Sequence, residues 1–186
     1  QLAEKLKEKG YSFKMSIIGN GEMETQLRDM IHNKNLEDCV EMLGAMSPDE
    51  VRAHMEKADV FLFTSDFNEG WGAVLNESMN SGCAVVASHA IGSVPFLIED
   101  GVNGLIYKNG DSESLRVRVE KLLKNQNYCQ SVGRNAYITM KEKWNANVAA
   151  ERLIKLSEGL QENKIMVYKD GPCSRACNLK NNWYRG

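Results

Sequence analysis

A parallel α/β sheet with helices packed on both faces is the fold this sequence predicts. Three observations predict it. Short apolar runs recur along the chain, and each is followed by a segment with helical periodicity. Gly, Pro or Asn punctuates the junctions between them. The run Val60-Phe61-Leu62-Phe63-Thr64 is apolar almost throughout, as a strand covered on both faces must be. Strands alternating with helices at this spacing make βαβ units, whose right-handed crossovers leave the strands parallel.

The elements follow in order. Phe13-Lys14-Met15-Ser16-Ile17-Ile18 reads as a strand that ends in Gly19-Asn20-Gly21-Glu22. Leu27, Met30 and Ile31 then stand at i, i+3, i+4 spacing, the inner stripe of a helix. Val40-Glu41-Met42-Leu43 is a second short strand. Ser47-Pro48-Asp49-Glu50 opens a helix, with Ser47 at the N-cap, Pro48 at N1 and Glu50 completing a capping box. Val51, Met55 and Ala58 form the inner face of that helix. The run from Val60 is expected at the centre of the sheet. A loop then leads to a helical segment over residues 73–81, with Gly82 at its stop. Cys83-Ala84-Val85-Val86-Ala87-Ser88 is the next strand, a short helix follows near residues 94–98, and Gly104-Leu105-Ile106-Tyr107 is the fifth strand. Asp111 or Ser112 caps a helix carrying Leu115, Val119, Leu122 and Leu123. Residues 128–161 are helical, with a break near Trp144-Asn145.

Together these make one Rossmann-like domain over residues 1–163. In such sheets ligands bind beyond the carboxyl ends of the strands. Residues 19–22, 44–46, 65–72 and 88–94 are expected to gather there. Residues 164–186 differ: an apolar stretch, Ile165-Met166-Val167-Tyr168, precedes the turn Asp170-Gly171-Pro172 and a polar run that carries Trp183 and Tyr184. They read as an arm that leaves the domain, either frayed or packed on another molecule.

Composition narrows the function. The chain has 186 residues, 42% of them hydrophobic, enough to build a core. Its 23 Lys and Arg stand against 25 Asp and Glu, a net charge of −2. A near-neutral chain has no field to recruit nucleic acid wholesale. No apolar run approaches the roughly 18 to 20 residues of a membrane span. The opening Gln1-Leu2-Ala3-Glu4-Lys5 has no signal-peptide pattern and no Met, so the chain is expected to be a processed product or a piece of something larger. Five dispersed cysteines argue against a disulfide framework and for a reducing, cytoplasmic compartment. Cys173 and Cys177 lie four apart with no His nearby, and two ordinary thiols suit them better than zinc.

The chemistry centres on Glu69-Gly70-Trp71-Gly72-Ala73-Val74-Leu75-Asn76-Glu77, which follows the Val60 run and enters a helix. Two glycines let backbone amides approach a ligand closely. A helix start offers free N–H groups and a positive dipole end, suited to a diphosphate. Glu69 lies before the helix and Glu77 about two turns further in. A carboxylate can accept from two vicinal hydroxyls at once, which suits a sugar. The plainer alternative is that both are solvated charges beside a loop. His89 falls on the ligand edge, where it is placed to touch a substrate.

In this order along an alternating chain, the residues resemble the C-terminal, donor-binding half of a GT-B glycosyltransferase of the retaining family 4. Ser65, Glu69, Gly70, Trp71, Gly72 and Glu77 match that family's Ser, Glu-Gly-aromatic-Gly and second Glu in order and spacing. The match continues through Met79, Gly82, Val85-Val86-Ala87, Gly92, Pro95, Asp100-Gly101 and Asn103-Gly104. Upstream, Ile18-Gly19-Asn20-Gly21-Glu22 resembles the family's Gly-x-Gly loop, and Leu43-Gly44 its short strand ending in Gly.

The resemblance implies roles. Glu77 would bind the nucleotide ribose. Glu69, taken as the catalytic residue, would hold the donor sugar together with the amides of Gly70 and Trp71. The amides of Gly72, Ala73 and Val74 would meet the diphosphate. Leu43 and Gly44 would line the base, and Gly19 and Gly21 would let their loop pass close to the diphosphate. The implied activity is group 1 hexosyl transfer with retention from a nucleotide-diphosphate sugar, with no cofactor and no essential metal. Its context would be synthesis of a bacterial cell-surface polysaccharide, with the full-length enzyme associated peripherally with the membrane.

Three departures qualify this. The family's first strand and the Arg and Lys of the loop after it are not present, and neither is the N-terminal acceptor domain with any catalytic His. Phe96 stands where many members have Glu. The chain is therefore expected to bind donor weakly and to turn over nothing alone. The alternatives are a non-catalytic nucleotide-sugar-binding module and a sugar epimerase of similar architecture. A dinucleotide-binding dehydrogenase is disfavoured, because Glu24 falls where the third glycine of G-x-G-x-x-G belongs.

Overall fold

The computed structural model describes residues 1–176 and 178–185, so Cys177 and the reading of it as an ordinary thiol lie outside the described residues. The elements run α1 (Leu2–Glu8), β1 (Met15–Ile18), α2 (Glu24–Asn33), β2 (Val40–Gly44), α3 (Pro48–Lys57), β3 (Val60–Phe63), α4 (Val74–Asn80), β4 (Ala84–Ser88), α5 (Val94–Leu97), β5 (Leu105–Tyr107), α6 (Ser112–Leu123), α7 (Gln126–Glu142) and α8 (Ala146–Gln161). The alternation is the expected one, and every strand pairing is parallel.

Two expectations about the sheet need correction. The strands form two sheets, β1–β2 and β3–β4–β5, rather than one. Among the described residues no ladder hydrogen bonds join β1 to β3. The central strand is β4, not β3: all five residues of β4 are buried, whereas only Phe63 is buried in β3. An apolar run reports what covers the faces of a strand. It does not report whether a neighbour lies on each edge, and β3 has one on the β4 side alone.

Helices do cover both faces of the larger sheet. The alternation of β4 sends Val85 and Ala87 into one cluster with Met55, Phe63, Leu75, Met79 and Ile106. It sends Ala84 and Val86 into another with Leu6, Leu105, Tyr107, Val119 and Leu122. The helix α7 serves both, giving Ala136 and Met140 to the first and Cys129 and Val132 to the second. It can do so because Gly133 passes the amino end of β4, where an added Cβ would meet Gly82 O and Ala84 N. The smaller sheet has its own cluster of Ala3, Leu36, Cys39 and Val40.

Local signals set the ends. Ser47 and Glu50 form the capping box: Ser47 N–H donates to Glu50 Oε2 at 2.8 Å and Glu50 N–H to Ser47 Oγ at 3.4 Å. Asp111 accepts from the amides of Glu113 and Ser114. The break between α7 and α8 falls at Trp144-Asn145 because the Asn145 side chain accepts from Val148 N–H at 2.9 Å and starts a new helix. Gly82 ends α4 with φ +82°, which favours glycine. Two inner faces fall short of expectation: α2 buries no residue fully, and Ala58 is exposed.

The start of the chain is tied to the second layer by charge as well as by Leu6. Glu120 of α6 is almost covered and pairs with Lys9 at 2.8 Å, with Arg116 and with Lys124. The arm is not loose at its far end. Trp183 and Tyr184 pack against the domain's own core.

Candidate functional site

The carboxyl ends of the strands carry the loops expected there. Beyond β1 and β2, Gly19 N–H donates to Gly44 O at 2.8 Å, which draws the two loops together. Both glycines have positive φ, +131° and +72°, so the close approach uses conformations that side chains disfavour. Leu43 stands half-buried before Gly44, and Gly21 is exposed with open space where a Cβ would be.

Beyond β3, residues 65–72 make the loop on which the sequence pattern centres. Asp66 closes its first turn, with Asn68 N–H donating to Asp66 Oδ1 at 2.9 Å and Glu69 N–H to Asp66 O at 3.1 Å. The rest of the loop lies hard against its surroundings. A Cβ at Gly72, whose φ is +74°, would stand 2.7 Å from the Phe63 ring. A Cβ at Gly92 would stand 1.8 Å from Gly70 O. Ser93 N–H donates to Trp71 O at 3.2 Å. The Trp71 indole stacks on Phe96 at 5.8 Å between centroids and tilts against Trp144 at 5.7 Å. Its Nε1–H donates to Asn76 Oδ1 at 2.9 Å.

This backing leaves a row of donors unused. Among the described residues, no protein acceptor takes the amides of Gly70, Trp71, Gly72, Ala73 or Val74. Nor does any side chain of the described residues cap the start of α4. Such a start is where an anion finds unpaired N–H groups and the positive end of a dipole. The Ser93 hydroxyl is also buried, with no partner among the described residues.

The two carboxylates are separated. Glu69 is half-buried in the loop, and Glu77 is exposed on α4. Glu77 lines a depression of about 170 Å³ with Arg52, Met55, Asn80 and Ser81, between α3 and α4, and Glu69 does not line it. Ligand pockets ordinarily measure about 300 to 1,000 Å³, so this depression is smaller than a whole ligand pocket. Arg52, beside Glu77, is paired with Glu56 at 2.9 Å.

Several contributors were not visible in the spacing. The hydrogen bond from Trp71 to Asn76, the stacking on Phe96 and the unpartnered Ser93 hydroxyl depend on how α5 and the α7–α8 junction dock. Gly92 had a signal, its place in the family pattern, but not its contact with Gly70.

Comparison with known proteins identifies the domain. Residues 1–139 match the family Glycosyl transferases group 1. The chain belongs to this family. AmsK, an amylovoran biosynthesis glycosyltransferase of Erwinia amylovora, is 32% identical over 160 residues, which is 83% of the chain and 39% of AmsK. WcaL of Salmonella typhimurium, a putative colanic acid biosynthesis glycosyltransferase, is 36% identical over 119 residues, 61% of the chain and 29% of WcaL. A mutant of S. aureus TarM, solved in complex with Fondaparinux, alpha-GlcNAc-glycerol and UDP, superposes with a TM-score of 0.74 at 25% identity, covering 83% of this chain and 31% of that one. The chain thus spans well under half the length of these relatives. The α/β, Rossmann-like arrangement expected from the sequence is that of a GT-B glycosyltransferase domain. In this group 1 glycosyl transferase domain the unpaired amides follow the strand that precedes the Glu-Gly-Trp-Gly motif.

Proposed function

We propose that this domain binds the donor, a uridine-diphosphate sugar, for a retaining hexosyltransferase of bacterial cell-surface polysaccharide synthesis. One observation carries the reading: five successive amides, from Gly70 to Val74, lie unpaired on a loop clamped by Gly92 and the Trp71 stack. UDP in the TarM complex and the polysaccharide named for AmsK and WcaL support the donor and the context.

The chemistry follows from the parts. Fixed N–H dipoles aimed at the diphosphate stabilise the charge that grows on it as the sugar leaves, without reorganising at the moment of reaction. Glu77 accepts from the ribose hydroxyls and Glu69 from the sugar hydroxyls. Leu43 and Gly44 face the base, and the Gly19 and Gly21 loop passes the diphosphate. No step in this scheme calls for a metal.

The whole enzyme needs more than this chain. In this reading an acceptor-binding domain completes the cleft, and a basic loop of the family helps hold the diphosphate. The domain alone then binds donor weakly and turns over nothing. The thiols of Cys39, Cys83, Cys129 and Cys173 are free, which supports a cytoplasmic setting. Among the described residues no helix is long and apolar enough to cross a membrane, and any membrane association of the enzyme is peripheral in this reading.

Calorimetric titration with UDP, GDP and ADP tests the proposal. The expected result is binding of UDP alone, weakened about 10-fold or more by Glu77→Gln, the size of hydrogen bonds to a charged group. Binding of UDP that is indifferent to Glu77→Gln, or absent even in the full-length protein, would overturn it.

A further inference from the structure

Phe67 is an exposed aromatic residue in the loop that carries Glu69, and the donor site makes no use of it. Its ring meets His89 edge-on, with centroids 5.6 Å apart and planes at 85°. His89 is buried and held from several sides. Asn109 N–H donates to His89 Nδ1 at 2.9 Å. The neutral ring therefore carries its proton on Nε2, which donates to Asn181 O of the arm at 3.1 Å. The arm answers with Trp183 Nε1–H, which donates to His89 O at 3.1 Å. The Trp183 and Tyr184 rings lie 6.2 Å and 5.9 Å from the His89 ring. The Tyr184 hydroxyl is set among Arg118 Nη2 at 2.6 Å, Ile106 O at 2.8 Å and Asp100 Oδ2 at 3.1 Å.

Earlier in the arm the picture is different. Ile165 and Val167 are 94% and 69% exposed, and the arm is next held at its turn, where Lys143 pairs with Asp170 at 2.6 Å and Arg152 donates to Pro172 O at 3.0 Å. Its attachment at the carboxyl edge is a local anchor, joined to β5, α6 and the loop after β4. That loop also holds Gly92 and Ser93, which touch Gly70 and Trp71 from the other side. The first half of the donor loop has its own Asp66 turn and the Phe67–His89 contact.

We propose that Trp183 and Tyr184 form an intramolecular latch that, through His89, holds residues 65–72 in the arrangement that presents the loop amides. His89 is a positioning residue in this device: it touches the loop and the arm. The loss of the latch frees Phe67, and the loop samples conformations in which its amides no longer converge. The effect on nucleotide affinity rests on the donor reading above, whereas the effect on loop order does not.

Hydrogen exchange on the full chain, read by mass spectrometry, tests the latch without a ligand. In Trp183→Ala/Tyr184→Ala and in His89→Ala, the amides of Asn68 and Glu69, which are hydrogen-bonded to Asp66, should exchange about 2- to 12-fold faster, the size of one aromatic contact. Amides of β4 should be unchanged. His89→Gln, which can still donate toward Asn181 O, should recover part of the protection. Ile165→Ser should change nothing in the loop. UDP affinity should fall by the same factor in the variants that loosen the loop. If the alanine variants also expose β4, Tyr184→Phe replaces them: it keeps the ring and loses the three polar contacts, and a smaller acceleration confined to the loop is expected. The latch is overturned if Asn68 and Glu69 keep their native exchange rates while residues 181–185 lose protection. Failure of UDP to bind the wild type, in this chain and in the full-length protein, would sink the donor reading and leave the latch to be judged on exchange.

Discussion

Gly92→Ala isolates the contact that sets the donor loop. A Cβ at this position would stand 1.8 Å from Gly70 O and 2.9 Å from Gly70 C. A carbon and a carbonyl oxygen settle at about 3.3 Å or more, so one backbone must move by about 1.5 Å. The obstacle is backbone on both sides, and no side-chain rotation relieves it. Overpacking of this kind costs about 1 to 3 kcal/mol of stability. For a domain of this size that is a fall in Tm of about 2 to 12 °C. The displacement falls on Gly70 and Trp71, whose amides meet the donor in the proposed scheme. A misplacement of about 1 Å at a reacting site can cost about 100-fold in rate, and a loss of that order is expected for transfer by the full-length enzyme. Gly133→Ala is the control. A Cβ there would stand 2.2 Å from Gly82 O, an equally severe clash, but between α7 and the α4–β4 turn. Both variants should melt earlier, and UDP titration of the folded protein should separate them: Gly92→Ala weak, Gly133→Ala close to wild type. Equal UDP affinities for Gly92→Ala and wild type, with amide chemical shifts of residues 70–74 unmoved, would refute the reasoning.

Three further outcomes are expected. Lys9, followed by Arg116 and Lys124, holds the Glu120 carboxyl down to about 2 from an ordinary 4.5, against the opposing effect of burial. A depressed carboxylate stabilises the fold above its unfolded pKa and loses that contribution as pH falls through the folded one. The Tm difference between wild type and Glu120→Gln should therefore be constant above about pH 5 and shrink toward pH 2; a gap that widens on acidification would contradict it. Burial pushes the Cys83 thiol up to about 11 and raises Cys39 and Cys129 as well. Brief alkylation of the native protein at pH 8 should label Cys173, which is exposed, and spare those three, as peptide mapping will read. Trp71→Phe should keep most of the stacking on Phe96 but lose the bond to Asn76, and weaken UDP binding about 2- to 10-fold, the size of a single hydrogen bond; titration beside Asn76→Ala should show the two losses to be non-additive.

Local structure and the order of the parts are legible in the chain alone. Ser47 and Asp111 announce helix starts, and Asn145 a break, because their side chains satisfy amides two or three residues away, an interaction that needs no tertiary partner. The apolar runs announce strands, and Gly70 and Gly72 with Glu69 and Glu77 announce a family, because motif spacing is a property of the chain. What lies beside what is settled only by folding. An apolar run reads the same in a central strand and in one with a single neighbour, so only pairing could place β4 at the centre and divide the strands between two sheets. The tightness of the donor loop comes from Gly92, Phe63, Phe96 and Trp144, up to about seventy residues away in the chain, and no periodicity relates them. The polar residues before Trp183 and Tyr184 read as a departing arm, because polarity reports solvation. The return of the arm to His89 depends on a ring, a carbonyl and a charged pair that only folding brings to one edge.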